Sequence, residues 1–208
     1  MSKRLIVYDL DGTLIDSANT VLSIINAMRL ESNQTPIDKA KLIPWISLGG
    51  ISLISNALEI NADNAHSALG EFRRRYVDCK TSESDLYPRV REVLEQFSQK
   101  DILLALCTNK PRNLVDRILQ ELSLVKYFDC VVAGGDLPSQ KPDPLHLLTC
   151  LNYYGTGRKE TILVGDSTID QKLAISCDVP FVFFRGGYDD GVDISLVDRV
   201  IDCHSDLL

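Results

Sequence analysis

No stretch of this sequence approaches the roughly 18 consecutive apolar residues that a membrane-spanning helix needs. A signal-like leader is not expected either, because the first apolar run, Leu5-Ile6-Val7-Tyr8, is short and ends at Asp9. Positive charge is scarce: 22 Lys and Arg stand against 29 Asp and Glu, a formal net charge of -7. A surface of that sign repels polyanions and speaks against nucleic acid as a partner. It also obliges any phosphate-handling site to assemble its own local positive charge. The six cysteines, Cys79, Cys107, Cys130, Cys150, Cys177 and Cys203, include no C-x-x-C pair, so metal ligation by cysteine is not indicated. Reduced thiols without an export signal suggest the cytoplasm. Internal repeats and low-complexity segments are absent, and His66, His146 and His204 lack partners at a useful spacing.

What remains is a strand-and-helix alternation. Leu5-Tyr8, Ile102-Cys107, Cys130-Ala133, Thr161-Val164 and Phe181-Phe184 are short apolar runs of the kind buried on both faces of a parallel sheet. Helical patterns over Val90-Gln99, Leu114-Leu122, Pro144-Tyr154 and Ile169-Ser176 lie between most of them. The expectation is an α/β fold, a Rossmann-like parallel sheet flanked by helices. The first two strands are separated by far more chain than one crossover needs, and that gap is helical throughout. Val21, Leu22, Ile24, Ile25 and Met28 trace one apolar stripe, and Ala65, Leu69, Phe72 and Tyr76 another. This predicts a core domain of residues 1-15 and 86-208, with a helical domain of residues 16-85 inserted after the first strand. Trp45 is expected in the core of that insertion, and Arg73-Arg74-Arg75 on a solvated helix face.

Polar residues follow the apolar strands closely, and in an open α/β sheet ligands bind beyond the carboxyl ends of the strands. Asp9 and Asp11 follow the first strand, Thr108 and Asn109 the second, Lys141 the loop after the third, and Gly165-Asp166 the fourth. Asp9 and Asp11, two apart in an extended segment, can face one cavity. Asp166 joins them, and Asp170 stands one helical turn on; for Asp170 taken alone a turn or capping role is equally open. Two carboxylates 4 Å apart repel by about 4 kcal/mol at an effective dielectric near 20. Such a cluster calls for a cation or retained protons, and magnesium, which takes one or two carboxylates plus substrate phosphate, is the natural resident. Lys141, stiffened by Pro142 and Pro144, supplies a positive charge for a phosphoryl oxygen. Thr108 and Asn109 can donate hydrogen bonds to the same oxygens.

Four segments carry a resemblance to a known family. Asp9-Leu10-Asp11-Gly12-Thr13-Leu14-Ile15-Asp16-Ser17, Thr108-Asn109-Lys110-Pro111, Lys141-Pro142-Asp143-Pro144 and Val164-Gly165-Asp166-Ser167-Thr168-Ile169-Asp170 resemble, in order, the four motifs of the haloacid dehalogenase superfamily. Ala133-Gly134-Gly135-Asp136 and Gly186-Gly187-Tyr188 are similar to its phosphoglycolate phosphatase group. The resemblance implies a magnesium-dependent phosphatase acting on a small phosphate monoester. Asp9 would be the nucleophile and Asp11 the acid and base. Asp9, Asp166 and the Asp11 carbonyl would hold Mg2+, supported by Asp170, and Thr108 and Lys141 would hold the phosphoryl group. The helical insertion would be the cap, with Gly49-Gly50 either a loop over the leaving group or a helix start. Arg89 departs from the pattern, standing where relatives carry glycine. A sugar-phosphate mutase of the same superfamily is the alternative. A phosphonate-cleaving relative would need a Schiff-base lysine, for which Lys39 and Lys41 are available. A dehalogenase is disfavoured by the presence of Asp11. A receiver-type signalling module is disfavoured by the long insertion after the first strand.

Overall fold

The computed structural model describes residues 4-208. Their contacts divide them into two compact units, one running through Asp16 and resuming at Thr81-Leu208, the other comprising Ser17-Lys80.

The first unit is built on six parallel strands: β1 (Leu5-Tyr8), β2 (Leu103-Pro111), β3 (Cys130-Gly134), β4 (Thr161-Gly165), β5 (Phe181-Phe184) and β6 (Arg199-Ile201). Their order across the sheet is β3-β2-β1-β4-β5-β6. The connections therefore run outward in both directions from β1, which places the change of direction beside that strand. All four residues of β1 are buried, as are all four of β5. That is why both read as unbroken apolar runs rather than alternating ones. Four helices cross between strands: α5 (Val90-Ser98), α6 (Arg112-Glu121), α7 (Leu145-Tyr154) and α8 (Thr168-Cys177). Leu5 and Val7 of β1 pack in one apolar cluster with Leu147 and Leu151 of α7 and Leu173 and Ala174 of α8. Because side chains alternate along a strand, Ile6 and Tyr8 face the other side. The sheet is thus flanked by helices, as expected of an α/β fold.

The short edge strand β6 is missing from the sequence reading. Its first residue, Arg199, is exposed and only Ile201 is fully buried. Three residues with one buried side chain leave no periodicity to detect. Cys107, Cys130, Cys150 and Cys177 are buried, and all six thiols are free.

The second unit contains four helices: α1 (Ala18-Glu31), α2 (Lys39-Ile46), α3 (Gly50-Leu58) and α4 (Ala62-Asp78). Asp38 caps α2 by accepting from the Lys41 N-H at 2.8 Å, and Asn61 caps α4 by accepting from Asn64 N-H at 3.0 Å. Ile25, Leu42, Ile54, Ala57 and Ala65 form its fully buried interior. Trp45, expected in that core, is only half-buried. Gly49 starts α3 at φ 59°, a backbone region costly to residues with a Cβ. Arg73 and Arg74 are exposed, while Arg75 is bound through both terminal nitrogens to Glu31. Among the described residues no helix is long and apolar enough to cross a membrane.

Candidate active site

The register sets the site. Tyr8, the last residue of β1, pairs with Leu106 on one side and Val164 on the other. The residues that follow each of them therefore emerge together at the carboxyl edge. The Asp9 N-H still donates to the Val164 carbonyl at 3.0 Å, so Asp9 leaves the sheet with a fixed backbone. Beyond it the chain turns tightly: Leu14 and Ile15 N-H groups both donate back to the Leu10 carbonyl, at 2.9 and 3.0 Å. Gly12 sits in this turn at φ 82°, and a Cβ there would collide with the Asp166 carboxylate. Gly187, after β5, would meet the same carboxylate and the Gly12 carbonyl. Two loops close on Asp166 because neither carries a side chain at the point of approach.

Three of the expected acids meet. One carboxylate oxygen from each of Asp9, Asp166 and Asp170 lies within 4.8 Å of the others, and all three residues are buried. Lys141, itself 6% exposed, places Nζ 2.7 Å from Asp9 Oδ1 and 2.7 Å from Asp170 Oδ1. Asp166 accepts from the Thr13 hydroxyl at 2.9 Å and from the Tyr188 N-H at 2.7 Å. Asp170 closes the start of α8, accepting from the Ser167 hydroxyl at 2.6 Å through its second oxygen. Its two oxygens thus have different partners, Lys141 for one and Ser167 for the other.

Asp11 stands apart from this trio. Its Oδ1 is 2.8 Å from Lys110 Nζ, and its side chain is 20% exposed against 10% for Asp9. Thr108 is buried and accepts from the Lys110 N-H at 3.2 Å. Asn109 bonds the Lys141 backbone through both ends of its amide: Oδ1 accepts from the Lys141 N-H at 2.8 Å, and Nδ2 donates to the Lys141 carbonyl at 3.1 Å. Its side chain holds the lysine loop in position.

The electrostatics follow from burial. Desolvation pushes the Asp9 carboxyl up to about 7, the repulsion of Asp170 and Asp11 adding to it and Lys141 working against it. Burial also holds Asp166 well above the carboxylate range, reinforced by Asp170 and Asp9. For Lys141, burial favours the neutral amine, yet the neighbouring Asp170 and Asp9 outweigh it and raise its affinity for the proton. Without a cation these shifts keep protons on the cluster; with all three acids ionised, three carboxylates against one ammonium would leave a deficit of two positive charges. All-oxygen ligands with that residual charge suit a hard divalent cation.

Thr13, Tyr188 and Lys110 were not picked out as site residues from the sequence. Tyr188 acts through its backbone, which no side-chain pattern betrays. Lys110 sits inside the second motif and could have been noticed there.

A buried acid cluster at the carboxyl edge of a parallel α/β sheet, beside its change of direction, defines an enzyme site able to take a metal ion. The profile of the haloacid dehalogenase-like hydrolases matches residues 6-184. Phosphoglycolate phosphatase 1 of Pseudomonas aeruginosa is 32% identical over 199 residues, covering 92% of this chain and 73% of that protein. Phosphoglycolate phosphatase of Photorhabdus laumondii is 29% identical over 212 residues, covering 99% of this chain and 91% of that protein. The crystal structure of a predicted phosphoglycolate phosphatase from Haemophilus somnus matches with a TM-score of 0.89 and 28% identity, over 100% of this chain and 97% of that one. The chain belongs to the haloacid dehalogenase-like hydrolase family, as a phosphoglycolate phosphatase-like member, and is a phosphatase.

Proposed function

We propose that the protein hydrolyses a small phosphate monoester, phosphoglycolate-like or a sugar phosphate, through an aspartyl-phosphate on Asp9 and with Mg2+ as cofactor. The observation that carries this reading is the buried Asp9 carboxylate, 2.7 Å from a buried ammonium and inside a three-acid cluster. An Oδ of Asp9 attacks phosphorus in line; the new bond forms as the bond to the ester oxygen breaks. Asp11 gives its proton to the departing alkoxide, then takes one from the water whose oxygen displaces Asp9 from phosphorus. Orthophosphate leaves and both aspartates return to their starting states. Lys141 and Thr108 hold the phosphoryl oxygens, and Asn109 acts through Lys141 by fixing its backbone. Asp9, Asp166 and the Asp11 carbonyl would hold the cation, with Asp170 supporting them; bound there, it would neutralise charge on the phosphoryl group. The fit rests on the deficit of two positive charges described above. Phosphoryl transfer depends on positioning and charge stabilisation more than on covalent help, and this inventory supplies both. We read the helical unit, inserted after β1, as the cap.

The test is phosphate release from a series of small metabolite phosphates, with magnesium and with chelator. Activity on at least one ester, lost in chelator, is expected. Asp9→Asn should abolish turnover with the circular dichroism unchanged; substantial residual turnover would remove Asp9 as the nucleophile.

A further inference from the structure

The loop after β5 contributes a carboxylate that the steps above do not use. Asp190, half-buried, accepts from the Thr168 N-H at 2.6 Å through Oδ1 and from the Thr168 hydroxyl at 3.0 Å through Oδ2. Thr168 is the first residue of α8, so its N-H is a donor with no partner inside the helix. A negative charge at that end also suits the helix dipole. Capping alone does not call for a residue 22 positions away. Ser167 already caps α8 from its own segment, accepting from the Asp170 N-H at 3.3 Å. What the distant cap adds is a tie between two segments.

Those two segments hold the acid cluster. Ser167, Thr168 and Ile169 are the residues between Asp166 and Asp170. Two residues before Asp190, the Tyr188 N-H donates to Asp166 Oδ2 at 2.7 Å. One loop thus grips Asp166 with its backbone at Tyr188 and Thr168 with its side chain at Asp190. The approach is possible because Gly187 has no Cβ to meet the Asp166 side chain. A glycine supplies no side-chain packing, so its neighbours must hold the loop in place. Tyr188, itself buried, does so on one side. On the other, Asp190 ties to Thr168, and the Gln171 amide donates to the Asp193 carbonyl at 2.7 Å and accepts from its N-H at 3.1 Å. The second Asp166 oxygen is held by the Thr13 hydroxyl, so its carboxylate keeps one orientation only while both loops stay put. We propose that Asp190 is a positioning residue for the cation site: by tying the β5 loop to the start of α8, it fixes Asp166 and Asp170 in the arrangement that binds a divalent ion. The inference rests on the proposed role of Asp166 as a Mg2+ ligand. Groups that orient ligands in this way typically govern about tenfold to hundredfold of a site's metal affinity.

The experiment titrates the full chain with Mn2+ alone, reading the free ion by electron paramagnetic resonance. Turnover of p-nitrophenyl phosphate is then followed against Mg2+ concentration. Wild type, Asp190→Ala and Asp190→Asn are compared. Asparagine keeps an acceptor for the Thr168 N-H and a donor for its hydroxyl, so it preserves the tie and removes the charge. Asp190→Ala is expected to weaken Mn2+ binding about tenfold and to raise the half-saturating Mg2+ in step. At saturating Mg2+, its kcat and KM should return to within about threefold of wild type, because the ligands themselves are intact. Asp190→Asn should hold Mn2+ affinity within about threefold of wild type. Unchanged Mn2+ affinity in Asp190→Ala would overturn the inference and leave Asp190 a helix cap, whatever the fall in urea midpoint. An asparagine variant as weak as the alanine one would overturn it too, since charge rather than position would then be at work. A wild type that binds no Mn2+ sinks the inference together with the cation reading. A wild type that binds Mn2+ yet releases phosphate from no ester removes the phosphatase reading, and the Mn2+ titration still decides the role of Asp190. If Asp190→Ala does not fold, as judged by circular dichroism, Thr168→Val decides: it loses only the hydroxyl half of the tie and must weaken Mn2+ binding by at least about twofold.

Discussion

Of the cations buried among the described residues, Arg29 in the helical unit and Lys141 in the sheet unit have partners of different chemistry. Arg29 in the helical unit, 4% exposed, points Nε at the Thr35 carbonyl at 2.7 Å and Nη1 at the Ala57 carbonyl at 2.6 Å. Its one carboxylate partner, Glu59, is 54% exposed. Lys141 in the sheet unit is surrounded by buried carboxylates. Backbone carbonyls are fixed and neutral, so a guanidinium bound to them completes a loop and its chemistry stops there. Carboxylates carry charge that one ammonium cannot balance, so the same degree of burial leaves a site wanting a cation. On the proposed mechanism, the partner's chemistry, more than burial itself, separates the structural cation from the one that acts on substrate.

The largest effect should come from Lys141→Met. On the proposed mechanism, turnover should fall by on the order of 10^3-fold, because the charge assigned to the phosphoryl group is lost. Helicity at 25 °C should be retained, since the acids left behind can bind protons or metal. A variant that unfolds yet keeps normal turnover per folded molecule would erase the distinction from Arg29. Arg29→Met should show the opposite pattern. The buried Ala57 carbonyl loses its donor, at about 1-3 kcal/mol, and the Thr35 carbonyl, on an exposed residue, loses a part-buried bond, so the urea midpoint should drop clearly. Phosphate release per folded molecule should persist.

His204 adds a third, neutral case, with a smaller effect. It is 1% exposed, and its Nε2 lies 2.8 Å from the Thr13 carbonyl, to which it donates as the neutral ring. Burial pushes the imidazole down to about 4, against smaller opposing contributions from the Thr13 carbonyl and Asp206. The unfolded chain therefore binds the proton more readily than the folded one. The contribution of His204 is complete above pH 6.5 and is lost as the pH falls from there through about 4. The loss should approach about 3 kcal/mol. Denaturation midpoints between pH 7 and 4 check this, and His204→Gln should flatten that part of the profile. A slope unchanged in the variant would assign the acid sensitivity to the carboxylates instead.

Much of the sheet was legible because its strands are apolar throughout. Leu5-Tyr8 and Phe181-Phe184 are bounded in the structure as in the sequence pattern. β6 was not, having a single buried residue. Arg89 was legible only as an oddity; in the structure it begins α5 at φ 69°, the left-handed region that favours glycine. In the site, Asp9, Asp166, Asp170 and Lys141 were visible as charged residues following strands, and the structure brings them together. Thr108 was visible the same way. Asn109, expected to donate to phosphate, also bonds the Lys141 backbone through Oδ1 and one Nδ2 hydrogen, which the sequence pattern did not show. An amide's partners depend on which backbone lies opposite, and that is a property of the loop after β3.

The order of residues along the chain was enough to specify a parallel sheet and to put each acid just past a strand, because strand burial and ligand placement are both local to those runs. Whether a carboxylate meets an ammonium, a hydroxyl or another acid depends on how loops from β1, β2, β3 and β4 close on one another. Contacts at 2.7 Å between residues more than a hundred positions apart, such as Asp9 and Lys141, are set by packing and by the glycines that let backbone and carboxylate touch.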